Sequence, residues 1–374
     1  MWHLLCLCGC SSPSTTSPNS LFTVTDYRLG LLVTAALALT AGCQRETPVE
    51  FSSGERVSTL TPELQTALKA ALADFAGSHA SPKLLGDDSV DQATLKRGQQ
   101  VYRQRCAQCH GVTGDGQGPV AGTMYPRPRD YRKGIFKFTS TPYGDRPLRS
   151  DLVRTVTKGI HGTSMPSFKL LPQEEIDAVV DYVLALTRRG ELEDQLLELV
   201  EFEEAVDPEL VQDESVPAVI NKWLQAQGSE VSPLTSQPVF SEEHVTRGQE
   251  AFKTVGCIKC HGPDGRGQTP DNLAGNLKDA WGHPTRAADL TSGFLHGGQR
   301  PIDIYRRIYS GINGTPMPGF ANSLKETPDT IWDLVAFVMH ITNARRTGES
   351  PLPGPIAPYI PQVADSETQA AEAE

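Results

Sequence analysis

The chain has 374 residues and a formal net charge of −11, with 38% hydrophobic and 21% charged residues. It is longer than one compact domain usually needs, and its acidity argues against a nucleic-acid surface. The balance is that of a soluble globular protein, suited if anything to a basic partner.

Residues 1–43 read as a processing region and not as fold. The run "LGLLVTAALALTA" (29–41) is apolar and uncharged. At thirteen residues it is too short to span a bilayer and has the length of a signal-peptide core, with Arg28 ahead of it. It leads into Leu39-Thr40-Ala41-Gly42-Cys43, which resembles a bacterial lipobox with Cys43 as the lipidated residue, although Thr40 stands where leucine is more usual. An ordinary secretory signal or a short buried helix is the alternative. Upstream, residues 1–25 add Cys6, Cys8, Cys10 and a Ser/Thr/Pro stretch. A true start near Val24 would give a signal of ordinary shape, and a precursor peptide containing Trp2 would rule that out.

Residues 44–90 read as a tether with one short helix. Thr61-Pro62-Glu63 supplies a cap, a first-turn proline and an early acid, and Leu64, Leu68, Ala71, Leu72 and Phe75 follow at helical spacing. Two copies of one pattern then occupy 91–190 and 241–346. Arg97-Gly98-Gln99-Gln100-Val101-Tyr102 matches Arg247-Gly248-Gln249-Glu250-Ala251-Phe252, and Cys106 matches Cys257. "DLVRTVTKGIHGTSMPSF" (151–168) matches "DIYRRIYSGINGTPMPGF" (303–320), and Ile176, Val180, Tyr182 and Val183 match Ile331, Val335, Phe337 and Val338. Such register implies duplication of a domain. Each copy reads as mostly helix around a Gly/Pro-rich loop, with little of the alternation that strands require, so the fold class is all-α. Between the copies, residues 191–240 form an acidic linker; 190–216 alone holds eleven acids and no base. It reads as a solvated amphipathic helix or, more sharply, as a docking strip for a basic partner. Residues 347–374, rich in Pro, Ala and acids, read as a disordered tail.

The chemistry sits in "CAQCH" and "CIKCH". Cys106, Cys109 and His110, and again Cys257, Cys260 and His261, form Cys-x-x-Cys-His, the pattern that attaches haem c. Two thiols on one turn reach two vinyl groups of one haem, and the next histidine reaches its iron. A zinc site would need further ligands at set spacing, and none repeats. Thioredoxin-like chemistry would need a βαβ pattern that is missing. For the other iron face, Met165 lies 55 residues after His110 and Met317 lies 56 after His261, both in Gly-Thr-x-Met-Pro-x-Phe. In a chain with five methionines, two in equivalent slots point to thioether ligands, which raise the potential relative to bis-histidine ligation; core filler is the bland reading. His161 and His296 have no histidine counterparts and read as loop residues. Arg127 and Arg286 stand at matching points, each followed by an acid (Asp130, Asp289) and a glycine (Gly134, Gly293). They suit haem propionates, or equally an Arg–Asp surface pair. Trp281, Tyr125 and Arg129 are weaker candidates for the haem wall.

These units resemble class I c-type cytochromes, which carry a glycine, an aromatic four residues later, and then the cysteines: Gly98, Tyr102 and Cys106, and Gly248, Phe252 and Cys257, the last one residue further on. The Met-Pro loop and a C-terminal helix with an aromatic complete the likeness. It implies two small helical domains, each around one covalent haem c, with a proline carbonyl accepting the histidine Nδ1–H; Pro119 and Pro270 are the residues in that position. The function it implies is single-electron transfer with His/Met ligation, from a periplasmic, lipid-anchored position beside a respiratory membrane complex or redox partner. The alternative is a dihaem cytochrome c peroxidase, which needs one open iron site and an acid/base group beside it.

Overall fold

A computed structural model describes residue 51 and residues 54–347. The lipobox with Cys43, the early cysteines and the C-terminal tail lie outside the described residues.

Helices dominate, and among the described residues the only β pairing is two isolated bridges, Gly77–Pro82 and Lys278–Pro284. Helix α1 (Pro62–Ala76) starts where the sequence places it. Thr61 accepts the Leu64 N–H, Pro62 fills a position whose N–H would be idle, and Leu68 and Leu72 are buried. In the first copy, α2 (Gln92–Arg105) is capped by Asp91, which accepts the Thr94 N–H at 2.7 Å. A single turn, α3 (Ala107–His110), follows, then a long loop and α4 (Arg149–Lys158). Helix α5 (Gln173–Glu203) crosses α2. The crossing explains Gly98: a Cβ there would stand 2.0 Å from the Ala178 carbonyl oxygen, so only glycine lets the backbones approach.

After α6 (Val216–Ala226) the second copy repeats the plan with α7 (Glu242–Thr254), the turn α8 (Ile258–His261), a short α9 (Pro270–Ala274), α10 (Pro301–Ser310) and α11 (Asp329–Arg346). Gly248 meets the Asp333 carbonyl oxygen as Gly98 meets Ala178, again with 2.0 Å to a built Cβ. One crossing thus carries both domains, with Tyr102 against Tyr182 in the first and Phe252 against Phe337 in the second.

The expected tether and linker are more ordered than composition suggests. Helix α5 runs straight through Gly190, where a Cβ would stand 2.4 Å from that of Arg132. Its extension buries Leu192, Leu196 and Leu197 against Leu68 and Leu72 of α1 and Val219 and Trp223 of α6. Each such side chain is worth about 2 kcal/mol of burial. Segments expected to connect domains therefore form a helical layer on the first one. Glu191 is buried in this layer and bonded by Arg146 (2.5 Å) and the Trp223 indole N–H (2.6 Å), whereas Glu198, Glu201 and Glu203 stay on the exposed side.

The copies are also stitched to each other. The Val231 N–H donates to the Ser140 carbonyl at 2.8 Å, the Gly144 N–H to Asn313 Oδ1 at 2.9 Å, and Arg307 to the carbonyls of Lys137 (3.4 Å) and Thr139. The Arg129 guanidinium lies 3.9 Å over the Trp281 ring. Among the described residues no helix is long and apolar enough to cross a membrane.

Candidate haem sites

In both copies the end of the first helix turns directly into the attachment turn. The His110 N–H bonds the Cys106 carbonyl at 2.9 Å and the His261 N–H bonds that of Cys257 at 3.0 Å. Both cysteines and the histidine therefore sit on one turn, as the spacing requires. All four described cysteines are free. Burial, with Cys109 beside it, pushes the Cys106 thiol up to about 12, and burial pushes Cys257 up to about 11. Among the described residues no three or more His, Cys, Asp or Glu side chains converge on a metal position, where zinc would need four ligands.

Cys106, Cys109, His110 and Met165 all line one cavity of about 1390 Å³, its open mouth included. Its other walls are largely apolar, with Val156, Phe168, Val179 and Val183 among them. Arg127 lines it too, whereas Arg286 in the second copy faces the Tyr125 ring at 6.0 Å across the domain seam.

The methionine loops are built identically. Met165 O accepts the Ile160 N–H and Met317 O accepts the Ile312 N–H, both at 3.1 Å. Thr163 Oγ1 and Thr315 Oγ1 donate to the Ile160 and Ile312 carbonyls at 2.8 Å, and accept the Met165 and Met317 N–H groups at 3.2 and 3.3 Å. The loop opens at Gly159 and Gly311, whose φ of 67° and 71° falls where a side chain is strained. The repeated Gly-Thr-x-Met-Pro-x-Phe is therefore the signature of this loop. His161 is exposed and flanks it, and its counterpart Asn313 bonds the other domain.

The prolines expected to orient the histidines do not do so. His110 Nδ1 meets the Arg129 carbonyl at 3.1 Å, and His261 Nδ1 meets the Ala288 carbonyl at 3.0 Å. Pro119 is exposed, after a glycine that folds back on the attachment turn: the Gly118 N–H bonds the Cys109 carbonyl at 3.2 Å. Pro270 opens α9, where Thr269 caps the Asn272 N–H. Each acceptor lies two residues after a matched arginine, Arg127 or Arg286, so the repeat itself held the signal. Burial pushes both histidines below the usual imidazole range, against the opposing effect of these bonds. A neutral imidazole with Nδ1–H donated leaves Nε2 free as an iron ligand.

The two copies hold the proximal loop differently. In the first, the Tyr131 hydroxyl donates to the Tyr102 hydroxyl, which donates to the Gly111 carbonyl at 2.8 Å. In the second those positions are Leu290 and Phe252, and Asn272 takes over: it donates to the Gly267 and Ala287 carbonyls at 2.5 and 3.2 Å and accepts the Ala287 N–H at 2.8 Å. Neither Tyr131 nor Asn272 stood out in the sequence, because neither repeats.

Residues 93–183 match the family described as cytochrome c oxidase, cbb3-type, subunit III, and residues 245–342 match the family described as cytochrome c. This chain belongs to the c-type cytochromes. A solved structure supports the placement of this dihaem cytochrome: a chain of the Kuenenia stuttgartiensis reducing HAO-like protein complex Kustc0457/Kustc0458 is 30% identical, with a TM-score of 0.52. That match covers 66% of the dihaem cytochrome and 96% of the other chain. No curated protein matches. The cytochrome thus holds two covalently bound c-type haems, one per domain, and transfers electrons. The residues fit that group: in each copy two cysteines and a histidine share one turn, and in the first they line a largely apolar cavity.

Proposed function

We propose that this dihaem cytochrome passes single electrons between two haems, each with a histidine and a methionine on its iron, and on to a larger oxidoreductase complex. The observation that carries the reading is Met165 on the wall of the cavity that also holds Cys106, Cys109 and His110, with Met317 in a loop of the same hydrogen-bonding pattern. The haem supplies a one-electron iron couple. His110 and His261 offer Nε2 to it with their rings steadied by the Arg129 and Ala288 carbonyls. The apolar walls exclude water, which holds the potential up and slows side reactions.

A peroxidase needs a free acid/base group beside the iron. Asp151, the carboxylate on this cavity wall, accepts the Ser140 and Leu148 N–H groups and pairs with Arg154 at 2.9 Å, so it is no free base, whereas His296 stands on the same wall and peroxide turnover decides between the readings. The neighbour in a named protein complex motivates assembly with a partner complex. The lipobox motivates lipid anchorage through Cys43 on the periplasmic side of a bacterial membrane. Near-infrared absorption and EPR of the purified protein test the ligands: two low-spin haems with the thioether-to-iron band are expected. A high-spin ferric haem, or turnover of hydrogen peroxide, refutes the reading. Cys43→Ala should move the protein from the membrane to the soluble fraction, and unchanged fractionation refutes the anchor.

A further inference from the structure

The wall of the first haem cavity carries two cations that no carboxylate touches: among the described residues neither Lys137 nor Arg129 is in a salt bridge, although Asp279 attracts both and Asp130 attracts Arg129. Lys137 and Arg129 both line it. The neighbouring carboxylates are engaged elsewhere. Asp130 takes two bonds from the Arg132 guanidinium at 3.0 and 2.9 Å, and Asp279 Oδ1 accepts the Trp281 and His283 N–H groups at 3.0 and 2.9 Å. Burial pushes Lys137 down to about 8, helped by the charge of Arg129 and opposed by that of Asp279. Two half-buried like charges in one wall are unfavourable unless an anion completes them.

A third polar group arrives from the other domain. His296 lines the same cavity, and its Nε2 lies 3.1 Å from where a Cβ on Gly162 would stand, so glycine there leaves it room. Counted from the matched Gly134 and Gly293, Lys137 and His296 occupy the same position of the repeat. Docking of the domains brings both copies of that position to one wall. The docking is specific, since Arg307 bonds the carbonyl of Lys137 itself.

We propose that Lys137, Arg129 and His296 form one carboxylate-binding cluster that grips the propionate edge of the first haem, so that the second domain completes the first domain's cofactor site. This rests on haem seating beside Cys106, Cys109 and His110, and not on ligation by Met165. A cation and hydrogen-bond donors at the propionates favour the reduced state, so the potential of the first haem is linked to domain docking. Arg129 then serves the haem twice, with its carbonyl on His110 and its guanidinium on the cofactor's carboxylates. The second copy has Ala288 at this position and no such cation.

The test uses the full chain matured with both haems and reads the two reduction steps by spectroelectrochemical titration. Lys137→Met should lower the reduction constant of one step about tenfold, 59 mV for one electron, and leave the other step in place. Lys137→Arg should hold that step near its original value. His296→Leu, a change on an exposed loop of the other domain, should lower the same step even if Lys137→Met fails to mature. Lys137→Met and His296→Leu should both keep the wild-type spectrum and haem-to-protein ratio. The proposal is overturned if His296→Leu moves neither step, if both steps move together, or if the two variants move different steps. It is also overturned if His296→Leu alters the spectrum, which would make His296 an iron ligand. A high-spin haem in the unaltered protein would instead defeat the His/Met reading and leave this test standing.

Discussion

Replacing Asn272 by leucine should loosen the proximal side of the second haem and spare the first. Asn272 is 4% exposed and makes three hydrogen bonds, two of them to Ala287, the residue before the carbonyl that steadies His261. Leucine fills nearly the same space but makes none of them, and the Ala287 N–H is stranded. At about 1 kcal/mol per bond and about 1–2 kcal/mol for the stranded donor, the second domain loses about 4 kcal/mol. For a domain of this size that is a fall in Tm of about 15 °C or more. The slackened Ala288 carbonyl makes His261 a less basic ligand, so the ferric state is less stabilised and the potential of the second haem rises. Thermal melting followed at the haem bands, with redox titration of the same sample, reads both effects. A variant that melts within about 2 °C of wild type, with both redox steps unmoved, would refute the assignment of Asn272 as the brace of this loop.

Other outcomes follow from the same structure. Met165→Ala should lower one reduction step and Met317→Ala the other; if either variant leaves both steps in place, that methionine is not a ligand. Gly248→Ala gains about 1 kcal/mol of helix propensity but forces a Cβ to 2.0 Å from the Asp333 oxygen. Overpacking of about 3 kcal/mol should leave it about 2 kcal/mol less stable by urea unfolding, and an unchanged midpoint would count against the close crossing. Tyr131→Phe should shift only the step assigned to the first haem, because the second copy has Leu290 there; a shift in the other step contradicts this. Asp303 is buried, which alone would raise its pKa, but two bonds from Arg300 at 2.9 and 2.8 Å hold it below the ordinary carboxylate value. Its contribution is therefore present above about pH 4 and lost as pH falls through the lower folded value. The stability deficit of Asp303→Asn should vanish in acid, and a deficit that persists at pH 2 or so would show that the ion pair is not its origin.

Much of each site was legible because it is covalent or repeated. Cys-x-x-Cys-His is read by spacing alone, since one turn of backbone places its three side chains whatever surrounds them. The methionine loops were legible because glycine, threonine and proline at set positions build a local turn, and the turn occurs twice. The two glycines of the helix crossings repeat for the same reason. The proximal acceptors were misplaced onto Pro119 and Pro270, because which carbonyl faces His110 depends on how a twenty-residue loop returns to the turn. The acidic linker reads as solvated because its charges dominate its composition. The buried stripe of Leu192, Leu196 and Leu197 has a partner only once α1 is known to lie against it.

The cofactor chemistry and the duplication are legible without any structure, since both are written in local spacing and its recurrence. Tertiary structure alone decided how the domains meet. Lys137 and His296 are ordinary loop residues until Arg307, Val231 and Asn313 dock one copy on the other, because a cluster made from residues more than 150 positions apart has no local pattern to read.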